Sequence, residues 1–249
     1  MSIRVSVEGP ILRLTLDRAD KKNALTNEMY GGLTTQLERA EQDDSIRVIL
    51  IDAEGDVFCA GNDLNDFAAI ASGKLRGDQI KAFGFLHALA AASCPIVTAV
   101  QGSAVGIGVT LLLHSDIAVV GEDARLSTPF VDLGLVPEAA SSLLLPARVG
   151  HARAFEMFAL GKSILGLDAV TLGLANACAP THEVLSRAYE FAHQLAARPS
   201  GAVRATKRLM RHTEALQAVM DREIEVFSER LRSPETAQAL QAFAQRQKR

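Results

Sequence analysis

Two glycine turns and one glutamate are the residues whose types and spacing could do chemistry. Gly61-Asn62 follows the short apolar run Phe58-Cys59-Ala60, and Gly106-Ile107-Gly108 lies downstream of the β-branched run Ile96–Val100. A glycine passage between strand and helix lets backbone approach a ligand without Cβ interference, and the unpaired N–H groups of a helix start suit an anion or a developing oxyanion. Two such turns at the ends of neighbouring strands would form an oxyanion hole, worth about 3 kcal/mol per donor in a transition state. The same glycines could instead serve close strand–helix packing. The spacing argues against a dinucleotide fingerprint, since the position that needs a third glycine after Gly106-Ile107-Gly108 holds Leu111.

Glu138 stands between Pro137 and the small pair Ala139-Ala140, at an expected helix start. A helix N-terminus favours its ionised form, whereas an apolar pocket raises its pKa. It reads either as an acid/base or as a first-turn helix glutamate. Asp63 and Asp66, just past a glycine turn, could be a carboxylate pair but read better as helix caps. Cys59, flanked by Phe58 and Ala60, reads as core. The six histidines are scattered, and none pairs with a serine or cysteine nucleophile.

The elements that must position these groups follow from the patterning. Ile3–Val7 and Ile11–Leu16 alternate around Glu8-Gly9-Pro10, the pattern of a β-hairpin. A helix is expected from Glu28 to about Gln42, capped by Thr26 or Asn27, and buried strands at Val48–Ile51, Ile96–Val100 and Ile117–Val120. Ala68–Gly77 reads as a loop walling a pocket, and Ile80–Ala92 as a helix. Glu138 is expected to open a helix that Pro146 breaks. From Ala152 onward nearly everything is helical, ending with Pro234–Gln247. The chain is therefore α/β, with a core over 1–195 and a helical part over 196–249.

A net charge of −3 and a pI near 6.1 argue against nucleic acid as the main partner. Three cysteines without metal or redox spacing fit a reducing compartment. The N-terminus has no signal-peptide core, no apolar run reaches membrane-span length, and Gln247-Lys248-Arg249 is no targeting tripeptide. The expectation is a cytoplasmic protein with no membrane partner.

Read together, several spaced motifs resemble the enoyl-CoA hydratase/isomerase family, the crotonase superfamily. They are Asp17-Arg18 through Asn23-Ala24-Leu25-Thr26, Phe58 through Leu64, Gly102 through Gly108, Ser115-Asp116, Pro129 through Glu138, Ala197-Arg198-Pro199, Thr206-Lys207, Ser233-Pro234-Glu235 and Ala242-Phe243. The resemblance implies a spiral of ββα repeats with a C-terminal helical part that packs trimers, often paired into hexamers. It implies an acyl-CoA thioester substrate, with coenzyme A as part of that substrate and no further cofactor or metal. The family's oxyanion-hole donors fall on the N–H groups of Asn62 and Ile107. Backbone around Ala24, Ala60 and Leu64 would hold coenzyme A, with Asp63, Gly106, Gly108 and Phe130 around the site. Lys207 or Phe227, from this or a neighbouring subunit, would meet its phosphate and adenine end.

The departures from the family pattern narrow the chemistry. Hydratases of the family carry two glutamates, at positions that hold Thr110 and Phe130 here. Glu138 matches the single acid of Δ3,Δ2-enoyl-CoA isomerases of the peroxisomal type. The resemblance therefore implies an isomerase in which Glu138 takes a proton from C2 and returns it at C4, with Thr110 dispensable. An enoyl-CoA hydratase using Glu138 alone is the alternative, and a non-catalytic acyl-CoA-binding homologue a further one.

Overall fold

The computed structural model describes residues 2–246, so the C-terminal tripeptide and the expected end of the last helix at Gln247 lie outside it. The hairpin forms as β1 (Ile3–Glu8) and β2 (Ile11–Leu16), turning at Gly9. Helix α1 (Asn27–Gln42) starts where the Thr26 hydroxyl accepts the Met29 N–H at 3.2 Å. Then come β3 (Val48–Ala53), β4 (Val57–Cys59), α2 (Leu64–Ala71) and α3 (Lys81–Ala91). The middle of the chain holds β5 (Ile96–Val100), β6 (Ser103–Val105), α4 (Ile107–His114), β7 (Ile117–Gly121) and β8 (Arg125–Ser127). It continues through α5 (Ser141–Val149), α6 (His151–Leu160), β9 (Ile164–Leu165), α7 (Gly166–Thr171), β10 (Ala177–Ala179) and α8 (Val184–Ala196). Helices α9 (Ser200–Met210), α10 (Thr213–Leu231) and α11 (Pro234–Arg246) complete it.

The strands sort into two sheets. One has the order β1-β2-β3-β5-β7-β10 and is parallel from β2 onward; the other has the order β4-β6-β8-β9, with β9 antiparallel. Each coil of the spiral places a longer strand in the first sheet (β3, β5, β7), a short strand in the second (β4, β6, β8), and then helix. This is the expected ββα spiral.

The long strands are apolar throughout because both faces are covered. Val48, Leu50, Val97, Ala99 and Val119 face the stripe Val184, Ala188, Ala192 and Ala196 of α8. Their alternates Ile49, Ile51, Ile96, Val100, Ala118 and Val120 face the main core. Burying each aliphatic side chain contributes about 1.5–3 kcal/mol.

Helix α9 is fastened differently. Its cations Arg204 and Lys207, with Arg211 just beyond its end, reach core carbonyls: Arg204 to Ala40 and Ile46, Lys207 to Cys94, and Arg211 to Leu89 and His114. Asp116 accepts from Lys207 at 2.7 Å.

Three expectations are corrected. Residues 68–71 belong to α2, because Ala68, Ala69 and Ala71 favour helix and Asp63 caps it through the Asn65 N–H at 2.8 Å. Glu138 does not open a helix: Ala139 and Ala140 adopt φ of 60° and 54°, and α5 begins at Ser141. Pro146 lies within α5, costing a donor without ending it. The apolar residues of the C-terminal helices mostly pack on this chain: Leu216 is buried, and Val219 and Phe227 lean on the core, while Leu209 stays exposed. Among the described residues no helix is long and apolar enough to cross a membrane.

Candidate active site

Strands β4 and β6 are parallel neighbours, pairing Val57 with Ser103 and Cys59 with Ala104. Their ends bring the two glycine turns together. Gly106 has φ 55° and ψ −116°, a conformation closed to other residues, and the next residue starts α4. Gly108 seats that helix on the end of β4: a Cβ there would lie 2.9 Å from the Cys59 Cβ and 3.0 Å from its carbonyl oxygen. Among the described residues neither the Asn62 N–H nor the Ile107 N–H donates to a protein acceptor. Both are left free for a ligand oxygen.

Asn62 is fixed on both sides. Its neighbours bond to Leu25, whose N–H donates to the Gly61 carbonyl at 2.8 Å and whose carbonyl accepts from Asp63 N–H at 2.9 Å. The Tyr30 hydroxyl donates to the Asn62 side-chain oxygen. Burial pushes the Asp63 carboxyl up, but the Arg18 guanidinium at 2.8 Å and the Asn65 N–H outweigh it and hold it below the usual range. Asp63 is therefore a cap and an ion-pair partner. Asp66 is also a cap, accepting the Asn27 N–H at 2.6 Å.

The first turn borders two adjoining cavities through Asn62, and the second borders the larger through Gly106. The larger, about 630 Å³, is lined by Ala24, Ala60, Asn62, Asp63, Leu64, Gly106, Phe130 and Phe227. The smaller, about 60 Å³, is mostly apolar and holds Glu138 together with Tyr30, Asn62 and Asp66. Asn62, Phe67 and Phe227 line both, and the rings of Phe67 and Phe227 stand 6.0 Å apart at the junction.

Glu138 is buried, and its Oε1 accepts the Thr110 hydroxyl at 2.7 Å. Burial raises its carboxyl to about 7; the Thr110 hydrogen bond pulls it down and the nearby Glu223 charge pushes it up. Of the two opposing influences foreseen from sequence, the pocket wins, because Glu138 precedes the helix by two left-handed residues. Thr110 is thus not an idle replacement but a direct partner of this carboxylate. The Cys59 thiol is pushed up to about 12 by burial, which removes it as a nucleophile at neutral pH.

Of the expected site residues, Ile107 and Gly108 line neither cavity, the first offering only its backbone and the second packing on Cys59, and Lys207 lies elsewhere. It lines neither cavity, and its buried amine is committed to the Cys94 carbonyl and Asp116. The cleft's own cations are Lys21 and Lys22, beside Asp20. They fall inside the motif that runs from Asp17 to Thr26, and two successive lysines there are the signal that marks them. Tyr30, His114 and Glu223 were also missed, and no local pattern marks them. Among the described residues no cluster of three His, Cys, Asp or Glu side chains is placed to hold a metal ion.

A family model described as enoyl-CoA hydratase/isomerase matches residues 6–249. The chain belongs to the enoyl-CoA hydratase/isomerase family. Enoyl-CoA delta isomerase 2 of Rattus norvegicus is 33% identical over 98% of this chain, which spans 63% of that protein's length. The 2,3-dehydroadipyl-CoA hydratase of Escherichia coli is also 33% identical, over 97% of this chain and 95% of its own length. A crystal structure titled enoyl-CoA hydratase/isomerase from Pseudoalteromonas atlantica T6c superposes with a TM-score of 0.93 at 39% identity, covering 99% of this chain and 98% of that one. Relatives of both named activities match at broadly similar identity, so the family is fixed while the reaction rests on the site.

Proposed function

We propose that this family member is a Δ3,Δ2-enoyl-CoA isomerase. The observation that carries the reading is Glu138, a buried carboxyl poised near pH 7 in an apolar pocket that also contains Asn62. Thr110 and Phe130 stand where two further carboxylates would be needed to activate and deliver water.

The acyl chain of a 3-enoyl-CoA enters the smaller cavity and the coenzyme A portion lies along the larger one, past Ala24, Ala60 and Leu64. Lys21 and Lys22 offer charge to its phosphates. As Glu138 removes a proton from C2, negative charge moves to the thioester oxygen, where the N–H groups of Asn62 and Ile107 receive it. Glu138 then delivers the proton to C4, and the double bond has moved by one carbon. One base serves both steps because C2 and C4 flank the migrating bond, and a pKa near 7 suits taking and giving a proton alike. Besides Glu138, the described lining of the smaller cavity carries one carboxylate, Asp66, and no cation, which favours an acyl chain without a terminal charge. The active form is a homotrimer or a dimer of trimers.

A hydratase reading keeps support from relatives of that name, which match at the same or higher identity than the rat isomerase. Turnover on 3-enoyl-CoA and 2-enoyl-CoA, assayed in parallel, separates the readings. Isomerisation of the first without hydration of the second is the expected result. Hydration of the second would transfer the chain to the hydratases, and binding without reaction would make it an acyl-CoA carrier.

A further inference from the structure

The peptide unit joining Ala139 to Ala140 is held at both poles. Its carbonyl meets His114 Nε2 at 2.7 Å, and its N–H donates to Glu223 Oε2 at 2.6 Å. The other Glu223 oxygen accepts the Ser142 N–H at 3.0 Å. Facing a carbonyl, His114 must carry its proton on Nε2, and burial drives its pKa down to about 3, so it stays neutral.

This peptide needs holding. The Ser141 N–H donates to the Glu138 carbonyl at 3.0 Å, closing a tight turn whose two central residues, Ala139 and Ala140, both have positive φ. A residue with a Cβ pays about 1–2 kcal/mol for that conformation, and nothing local to two alanines favours it. The turn fixes where the Glu138 backbone ends and so where its carboxylate points. Glu223 reaches it from α10, far away in sequence, and is itself buried.

We propose that Glu223 is a positioning residue for the Glu138 base, clamping with His114 the strained turn that aims the Glu138 carboxylate into the pocket. This rests on the reading of Glu138 as the base. Glu223 also acts on Glu138 through space. The titratable groups facing Glu138 are Tyr30 from α1, Cys59 beside the first glycine turn, Asp66 from α2 and Glu223 from α10. Tyr30 and Cys59 are held neutral by burial, and of the two carboxylates Glu223 is the one that raises the Glu138 pKa.

The test is the pH profile of 3-enoyl-CoA isomerisation for Glu223→Gln and Glu223→Ala, with Glu138→Gln as control and butyryl-CoA affinity measured by calorimetry. Glu223→Ala frees the turn, and a base displaced by about 1 Å loses on the order of 100-fold in kcat. The coenzyme A cleft is untouched, so butyryl-CoA affinity should hold. Glu223→Gln keeps an acceptor oxygen but removes the charge, so kcat should stay within about tenfold while the acid limb of kcat/KM moves to lower pH. Should Glu223→Ala fail to fold, that shift decides alone. An unmoved acid limb in Glu223→Gln, or weakened butyryl-CoA binding with kcat intact in Glu223→Ala, overturns the proposal. Loss of turnover in Glu138→Gln beside wild-type Glu223 variants defeats the clamp alone. Full turnover in Glu138→Gln defeats the base assignment and takes the clamp with it.

Discussion

At pH 8 Glu138 carries a charge in a pocket that has little to offer it beyond one hydroxyl. On the proposed mechanism, in which one base acts twice, replacing it by Gln should cost isomerisation about 10²- to 10⁴-fold, toward the upper end. The same change should stabilise the fold in a pH-dependent way. The folded-state pKa of Glu138 is raised from 4.5 to about 7, so its contribution is intact below pH 4.5 and is lost as pH rises through 7. The stability advantage of Glu138→Gln should therefore be absent at pH 4 and reach at most about 3 kcal/mol at pH 8, read by denaturant titration at both pH values. Thr110→Val removes a hydrogen bond to the carboxylate, worth roughly 1.5–3 kcal/mol, and should move the acid limb of the rate profile up by about one pH unit or more. An unshifted limb would show that Thr110 does not govern this proton. Glu138 was legible because it follows a proline before small residues in a recognisable motif. Its pKa was not, because desolvation comes from side chains on α1, α2, α3 and α10 that no local reading brings together.

The turn after β6 shows how an element turns packing into chemistry. Gly108 faces Cys59 and not the ligand, so the harm from a side chain there differs from what the glycine run suggests: it would lever α4 off β4 and draw the Ile107 N–H out of line. Gly108→Val should lower kcat about 10²- to 10³-fold, the worth of one oxyanion donor, with overpacking costing a further 1–3 kcal/mol or so in stability. Asn62→Ala keeps its N–H and loses the Tyr30 contact, so it should remain within about tenfold of wild type. Equal damage from the two would contradict the backbone-donor assignment. The long strands were readable because β3 and β5 are apolar on both faces. The short strands β6, β9 and β10 were not, since two or three residues cannot display an alternation. Helix α2 was mistaken for loop because its alanines carry no periodic contrast.

On the scale of the whole molecule, the C-terminal helices complete the site, since α10 brings Glu223, Ile224 and Phe227 to the pocket or its support. What they leave bare lies elsewhere: Leu209 and Met210 at the end of α9, and Phe155, Leu160 and Leu167 on α6 and α7, each more than half exposed. Such apolar surface is what an oligomer interface covers. Light scattering at micromolar concentration should give three or six times the chain mass; a monomer would remove the trimer proposal.

The row of cations on α9 has a consequence for how the protein comes apart. Pulling guanidinium and ammonium groups out of water to meet carbonyl oxygens returns less than burying leucines between sheets, so this joint should be weaker than the packing of the sheets. Regions of low local stability open as units ahead of the core. With urea rising, the C-terminal arm should lift away first, taking Glu223 and Phe227 with it, while the sheets stay assembled. Catalysis should then fade at a urea concentration where amides of β3 and β5 still resist hydrogen exchange, whereas simultaneous loss would mean the seam is as strong as the core. The enzyme would switch off before it unfolds, and would regain function by the simple re-docking of one arm.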